Sequence, residues 1–168
     1  MFLVYAVALA IAAAWALGGR PVLALEHRWR GGVLIWCALG AQLVLFSPIG
    51  AAAPEGVVRA LHLGTYALAL LFMWRNRDVG LGLAAAGTLM NLAAIVANGG
   101  VMPVSPGAFR DAFPGTPLTD AGNAAVSGHH HLAALGDVMA LPSWLPFANV
   151  FSIGDVLIGA GVASAVLR

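Results

Sequence analysis

Five long stretches of this chain carry almost no charge. Residues 1–19, 31–53, 79–98 and about 149–167 are apolar, with Asp155 the one carboxylate among them. A weaker stretch, 56–74, holds Arg59 and His62 near its start. A helix rises about 1.5 Å per residue, so about 20 such residues cross the ~30 Å hydrocarbon core of a bilayer. Water is a poor medium for the same chain: 61% of its residues are apolar and 9% charged, where a soluble domain carries about 25% charged. The expected fold is all-α, an integral membrane bundle of five transmembrane helices with an extracytoplasmic loop cap between helices four and five. The spans fall at about 2–18, 32–50, 57–74, 79–98 and 149–167, and the outer loop at 99–148. No Pro/Ser-rich linker divides the sequence, so one transmembrane domain, 1–168, is expected.

Arginines orient the bundle. Arg20, Arg28 and Arg30 lie between the first two spans, Arg75 and Arg77 between the third and fourth, and Arg168 after the fifth. The opposite side holds only Arg59 and Arg110. Cytoplasmic loops are enriched in Lys and Arg, so the chain reads as a multi-pass protein of the bacterial cytoplasmic membrane, N-terminus outside and C-terminus inside. The first run has no positive residue before it, which favours a retained helix over a cleaved signal peptide. A net charge of +1 offers no basic stripe for phosphates, so nucleic acid is not an expected partner. The lone Cys37 cannot form an intrachain disulfide. Membrane lipid, or another membrane protein, is the expected partner.

Small residues recur every four positions at Ala6, Ala10, Ala14 and Gly18, and again at Gly80, Ala84 and Thr88. Such stripes let helix backbones approach closely in lipid. The outer loop is about fifty residues long and contains most of the prolines. Loops of that length are usually functional or disordered. Its middle, 116–127, is small and polar and reads as mobile. Its ends, 98–106 and 135–155, mix apolar anchors with Gly and Pro and read as ordered structure at the outer leaflet. Trp144 and Phe147 are interfacial residue types.

Asp155 is the most informative residue. A carboxylate inside an apolar span costs about 2.5–3.5 kcal/mol at the helix centre, and so marks either a functional site or a helix end. The spacing Ser152-x-x-Asp155 is that of a capping box, with the carboxylate facing free backbone N–H groups. Asp137 is its natural partner: residues 135–139 and 153–157 echo each other, and Pro142 and Pro146 can fold the chain back between them. Paired carboxylates perform general acid/base chemistry. The competing reading has Asp137 capping a short interfacial helix away from Asp155. Asn91 and Asn98 stand seven residues apart, on one helix face, toward the outer end of span four. They define a polar pocket or, through Asn91 with Gln42 or His62, a structural clamp. Arg59 and His62 are placed to supply a cation to that pocket, or to snorkel to the interface. His129, His130 and His131 with Asp120 or Asp137 raise a metal reading. Consecutive histidines cannot all face one ion from a regular element, so a solvated cluster is expected, with no metal and no cofactor. No nucleotide-binding loop or Ser/Cys nucleophile motif is present.

The segments 98–106 (NGGVMPVSP), LGDV from Leu135, LP, and NVFSIGDVLI from Asn149 occur in an order that resembles a bacterial family of small multi-pass membrane proteins of unknown function. GGR after the first run and LHLGTY in the third extend the likeness over nearly the whole chain. The resemblance implies a compact helical membrane domain and assigns no activity or site residue. Residues 151–155 (FSIGD) are also similar to the last helix of lipoprotein signal peptidases, where the corresponding aspartate is catalytic. That resemblance implies a catalytic role for Asp155. Their second aspartate falls at Ala94 here, so the dyad is incomplete unless Asp137 substitutes. Three readings follow. The first is a non-catalytic accessory or scaffold protein that binds a partner or lipid through the cap. The second is a membrane-embedded hydrolase using Asp137 and Asp155, and the third a small carrier with Asp155, Asn91 and His62 on its path.

Overall fold

In the computed structural model, helix α1 (Gly32–Leu45) packs against α3 (Glu55–Arg75), α4 (Gly82–Ala97) packs against α6 (Ile153–Val166), and α3 joins the two pairs through α4. The structure describes residues 27–45, 47–118, 124–126 and 130–166, with isolated helical residues 8, 11, 12, 15 and 16. The rest of the first apolar run lies outside the described residues. So do the stripe residues Ala6, Ala10, Ala14 and Gly18, and Arg20, Asp120, His129 and Arg168.

The second run does not form one helix through residue 50. It ends at Leu45, and a separate turn, α2 (Pro48–Ala51), follows. Ser47 causes the break. Its hydroxyl donates to the Val44 carbonyl at 2.6 Å and accepts from the Ile49 N–H at 3.2 Å. Pro48 then supplies the first helical position without an N–H to satisfy. The third run gives α3, with Glu55 in its first turn and Arg75 in its last, each complementing the helix dipole. Its 21 residues span roughly 31 Å at the α-helical rise. Among the described helices it is the one long and apolar enough to cross a membrane; α1, α4 and α6 are apolar but shorter. The fifth run differs at its start. Asn149–Phe151 is strand β4, and the helix begins only at Ile153, where the Ser152 cap supplies a stop to the extended chain.

Much apolar surface faces outward. Trp36 is 72% exposed and Leu43 76%, while Leu89 and Val96 stand free on α4. Two small clusters of buried apolar residues lie along the α3–α4 seam. One gathers Met73, Leu81 and Ala84, with Trp29, Phe72 and Ala165 packed on it. The other gathers Ala94, Ile95 and Met102, with Tyr66 and Leu135.

The ends of the bundle are distinct. At one, the Asn76 amide donates to the Arg30 carbonyl at 2.9 Å and accepts from the Arg30 N–H at 2.8 Å. That pairing, with an Arg30–Asp78 contact at 3.6 Å, gathers residues 27–32 and 75–80. At the other, α4 ends in two left-handed residues, Gly99 (φ +69°) and Gly100 (φ +97°), and the Gly100 N–H bonds the Ile95 carbonyl at 2.9 Å. That closure satisfies a carbonyl the helix would leave open and turns the chain into the cap.

The cap contains regular structure beyond the expected loop. Strand β1 (Met102–Pro103) runs parallel to β2 (Ala124–Ala125), and Val104 bridges to Asp137 on its other side. Helix α5 (Pro106–Ala112) and a 3₁₀ turn (Ala133–Leu135) intervene. Strand β3 (Met139–Leu141) then pairs antiparallel with β4 (Asn149–Phe151), Met139 opposite Phe151 and Leu141 opposite Asn149. The proline-broken stretch therefore folds back as a hairpin that leads directly into α6.

Candidate functional site

The hairpin delivers Ser152 to the first turn of α6, where the capping box forms in both directions. The Asp155 N–H donates to Ser152 Oγ at 3.0 Å, and the Ser152 N–H donates to Asp155 Oδ2 at 2.9 Å. The local spacing in the sequence anticipated this pair. A third member comes from α4. Asn91 Nδ2 donates to Asp155 Oδ1 at 2.9 Å, and Ser152 Oγ donates to Asn91 Oδ1 at 2.7 Å. Ser152 is 0% exposed and Asn91 4%. Four hydrogen bonds thus close a ring among three residues, two of them charge-assisted at the carboxylate. A half-buried carboxylate and a buried amide are costly when unpaired, and this ring offsets that cost.

Backbone contact makes the ring possible. A Cβ on Gly154 would overlap Asn91 Oδ1, and one on Gly87 would overlap the Gly154 carbonyl. The two helices touch main chain to main chain there, and again where Gly161 lies on Ala84. Of the expected stripe in span four, Ala84 and Thr88 lie on this buried side, while Gly80 sits before the helix with φ +84°.

The other sequence candidates go elsewhere. Asn91 pairs with neither Gln42 nor His62; Gln42 Nε2 instead donates to Thr65 Oγ1 at 3.2 Å. Asn98 does not share the Asn91 site. It turns to the cap, where its side chain accepts from the His131 N–H at 2.9 Å and donates to the His131 carbonyl at 2.7 Å. Seven residues carry the two asparagines to opposite tasks because the helix ends at Ala97. Arg59 pairs with Glu55 at 3.1 Å and its stem covers Gly100, so it supplies no cation to Asn91. His62 is buried with its ring edge-on to Tyr66, centroids 5.4 Å apart. Among the described residues no group of three or more His, Cys, Asp or Glu side chains is placed to hold a metal.

Asp137 follows the hairpin register toward Asp155. Its N–H donates to the Pro103 carbonyl at 2.8 Å, and its carbonyl accepts from the Ser105 N–H at 3.0 Å. These bonds fix its main chain in the cap and leave the carboxyl half-buried. Burial, with the Asp155 charge adding to it, pushes that carboxyl up to about 7. The Tyr66 phenol lies in the field of both carboxylates. Sequence reasoning missed Tyr66 as a member of this group, although LHLGTY was singled out. A tyrosine four positions after a histidine on one helix face was the available signal. Asn76 was missed as well; its side chain bonds a segment 46 positions away, which no local pattern shows.

Fold and site together define a mostly helical protein, with one described helix long and apolar enough to cross a membrane and a polar node where α4, α6 and the cap meet. The chain belongs to the family described as a family of unknown function (DUF5317), which matches residues 27–167. No curated protein and no solved structure matches it.

Proposed function

We propose that this protein is a single transmembrane domain of the bacterial cytoplasmic membrane, crossing it five times with the N-terminus outside. In this reading it serves as a non-catalytic accessory or scaffold subunit whose cap binds a partner membrane protein or lipid. The outward-facing Trp36, Leu43, Leu89 and Val96 support lipid as the medium. The gathering of Arg30, Arg75 and Arg77 at the end opposite the cap supports the orientation. One observation carries the binding role. The polar node is closed upon itself, whereas the turn between β3 and β4 presents Trp144, 78% exposed, and Phe147, 60% exposed. Phe147 also holds φ +59°. A left-handed conformation at a non-glycine costs about 1–3 kcal/mol, and such strain gathers at ligand clamps and active sites.

The test has two parts. With Cys37 replaced by serine, a cysteine at position 144 should react with a membrane-impermeant maleimide in intact cells, and one at position 77 should react only after lysis. The reverse pattern overturns the orientation. A photoreactive phenylalanine analogue at position 144 should then give one discrete protein or lipid adduct, lost in Phe147→Ser. A diffuse smear unchanged by that substitution would count against the cap as a binding surface.

A second reading is favoured by Asp137. A half-buried carboxyl pushed up to about 7, by burial first and the Asp155 charge second, suits a general acid. The likeness of residues 151–155 to lipoprotein signal peptidases would make the reaction a hydrolysis at the outer leaflet. Ala94 at the second aspartate position, and the ring that occupies both Asp155 oxygens, weigh against it. Turnover of a lipid-modified signal peptide, abolished by Asp137→Asn and kept by Trp144→Ala, would establish the hydrolase over the scaffold.

A further inference from the structure

At the end away from the cap, the seam between α1, α3, α4 and α6 opens into a groove of about 290 Å³. Its walls are almost wholly apolar and include Trp29, Gly32, Trp36, Phe72, Leu81 and Val162. Trp29 is shared with a second, polar cleft of about 420 Å³ formed with His27, Arg28, Arg30 and Asp78. The apolar groove and the basic mouth thus adjoin at Trp29. The Arg75 guanidinium lies against Gly31, between Arg30 of the mouth and Gly32 of the groove, since a Cβ on Gly31 would come to 3.0 Å from its Nη1. Residues 26–30 and 75–78 carry four arginines against Glu26 and Asp78. Asp78 is taken up by Arg30 at 3.6 Å, and Arg77 lies over the Trp74 ring at 4.8 Å. Arg28 lines the mouth and Arg75 flanks it at Gly31, and neither has an ion pair among the described residues.

We propose that this groove binds one acyl chain of an anionic phospholipid, with the lipid phosphate held by Arg28 and Arg75. The chemistry is complementary at both ends. The slot offers a lipid tail an aromatic wall in place of neighbouring tails, and two guanidinium forks match phosphate oxygens. Basic pockets between helices at the cytoplasmic surface hold acidic head groups by the same logic. A zwitterionic lipid fits the slot equally well but brings a cation to the arginines. This inference rests on the membrane reading above.

Purified full-length protein in mild detergent, mixed with equal phosphatidylglycerol and phosphatidylcholine of identical chains, tests it by native mass spectrometry. One phosphatidylglycerol should be retained at least tenfold over phosphatidylcholine. The double variant Arg28→Gln, Arg75→Gln should bring that ratio near one. Gly32→Leu, whose new Cβ meets no atom within 4 Å, should fill the slot and abolish retention of both lipids. Gly56→Leu, at an equally open glycine outside the groove, should leave retention unchanged and so controls for folding. Equal retention of the two lipids by the wild type, or undiminished retention by Gly32→Leu, overturns the proposal alone. Release of the protein from membranes by alkaline carbonate overturns the membrane reading and this site with it.

Discussion

The two helix pairs are built on different terms. Between α4 and α6 the backbones touch at Gly87 and Gly154 and at Ala84 and Gly161, and a closed ring of Asn91, Ser152 and Asp155 lies buried at one end. Between α1 and α3 no glycine is closed upon in this way, Gly40 and Gly64 having open space at the Cβ position, and among the described residues one interhelical side-chain bond joins them, Gln42 to Thr65. Only Ala38 and Leu45 of α1 are buried, and Trp36 and Leu43 face outward. In an apolar medium the hydrophobic effect gives no drive for one helix to pack on another, so dispersion contact and interhelical hydrogen bonds decide which pairs are fixed. By that measure α4–α6 is the rigid half, and it supports the cap through Ser152. The α1–α3 half leaves Trp36 and Leu43 on its outer surface.

Four measurements press on this contrast. The largest effect is expected at Gly154. Gly154→Val must push apart helices already in main-chain contact and displace Asn91 from the ring as well, so its cost exceeds the roughly 1–3 kcal/mol of ordinary overpacking. The variant should lose most of its folded fraction in detergent, while Gly56→Val, at an open position, should not. Equal tolerance of both would refute close packing of α4 on α6.

Asp155→Ala comes next. It leaves Asn91 Nδ2 and the Ser152 N–H without an acceptor in buried surroundings, at about 2–3 kcal/mol. Combined with Asn91→Ala the loss should be clearly less than additive, since the two residues share one ring. Additive losses measured by chemical denaturation would mean that the ring is not a unit.

A smaller effect is expected from pH. Asp137 has its carboxyl raised from 3.8 to about 7 in the fold. Between those values the folded protein holds a proton the unfolded chain has lost, so stability falls as pH rises through this window and levels off above it. Asp137→Asn should flatten the thermal midpoint between pH 4 and 7, and Asp155→Ala should make its slope shallower by removing a repelling charge. A wild-type midpoint that climbs over this window would show the sign to be wrong.

The smallest change is expected for Gln42→Ala. An interhelical hydrogen bond of this kind in a membrane averages about 0.6 kcal/mol in double-mutant cycles. A loss as large as that of Asp155→Ala would erase the contrast between the two pairs.

Local spacing determined a good deal of this protein by itself. The charge-free runs placed four helices near their observed positions, because apolar length reads directly from the chain. The sorting of Arg28, Arg30, Arg75 and Arg77 from Arg59 was likewise legible, and so was the Ser152–Asp155 box, whose partners stand three residues apart. The prolines at 142 and 146 announced the fold-back, though not its strands. Ser47 before Pro48 carried the signal for the early end of α1, and the length of the apolar run masked it. What only the tertiary structure decided involves partners far apart in sequence. Asn91 meets Ser152 across 61 positions and Asp155 across 64, and Asn76 meets Arg30 across 46. Spacing along a helix gives the face on which an amide lies but not which helix covers that face. That choice was made where Gly87 and Gly154 let two backbones close, because only there can so short a side chain reach the next helix.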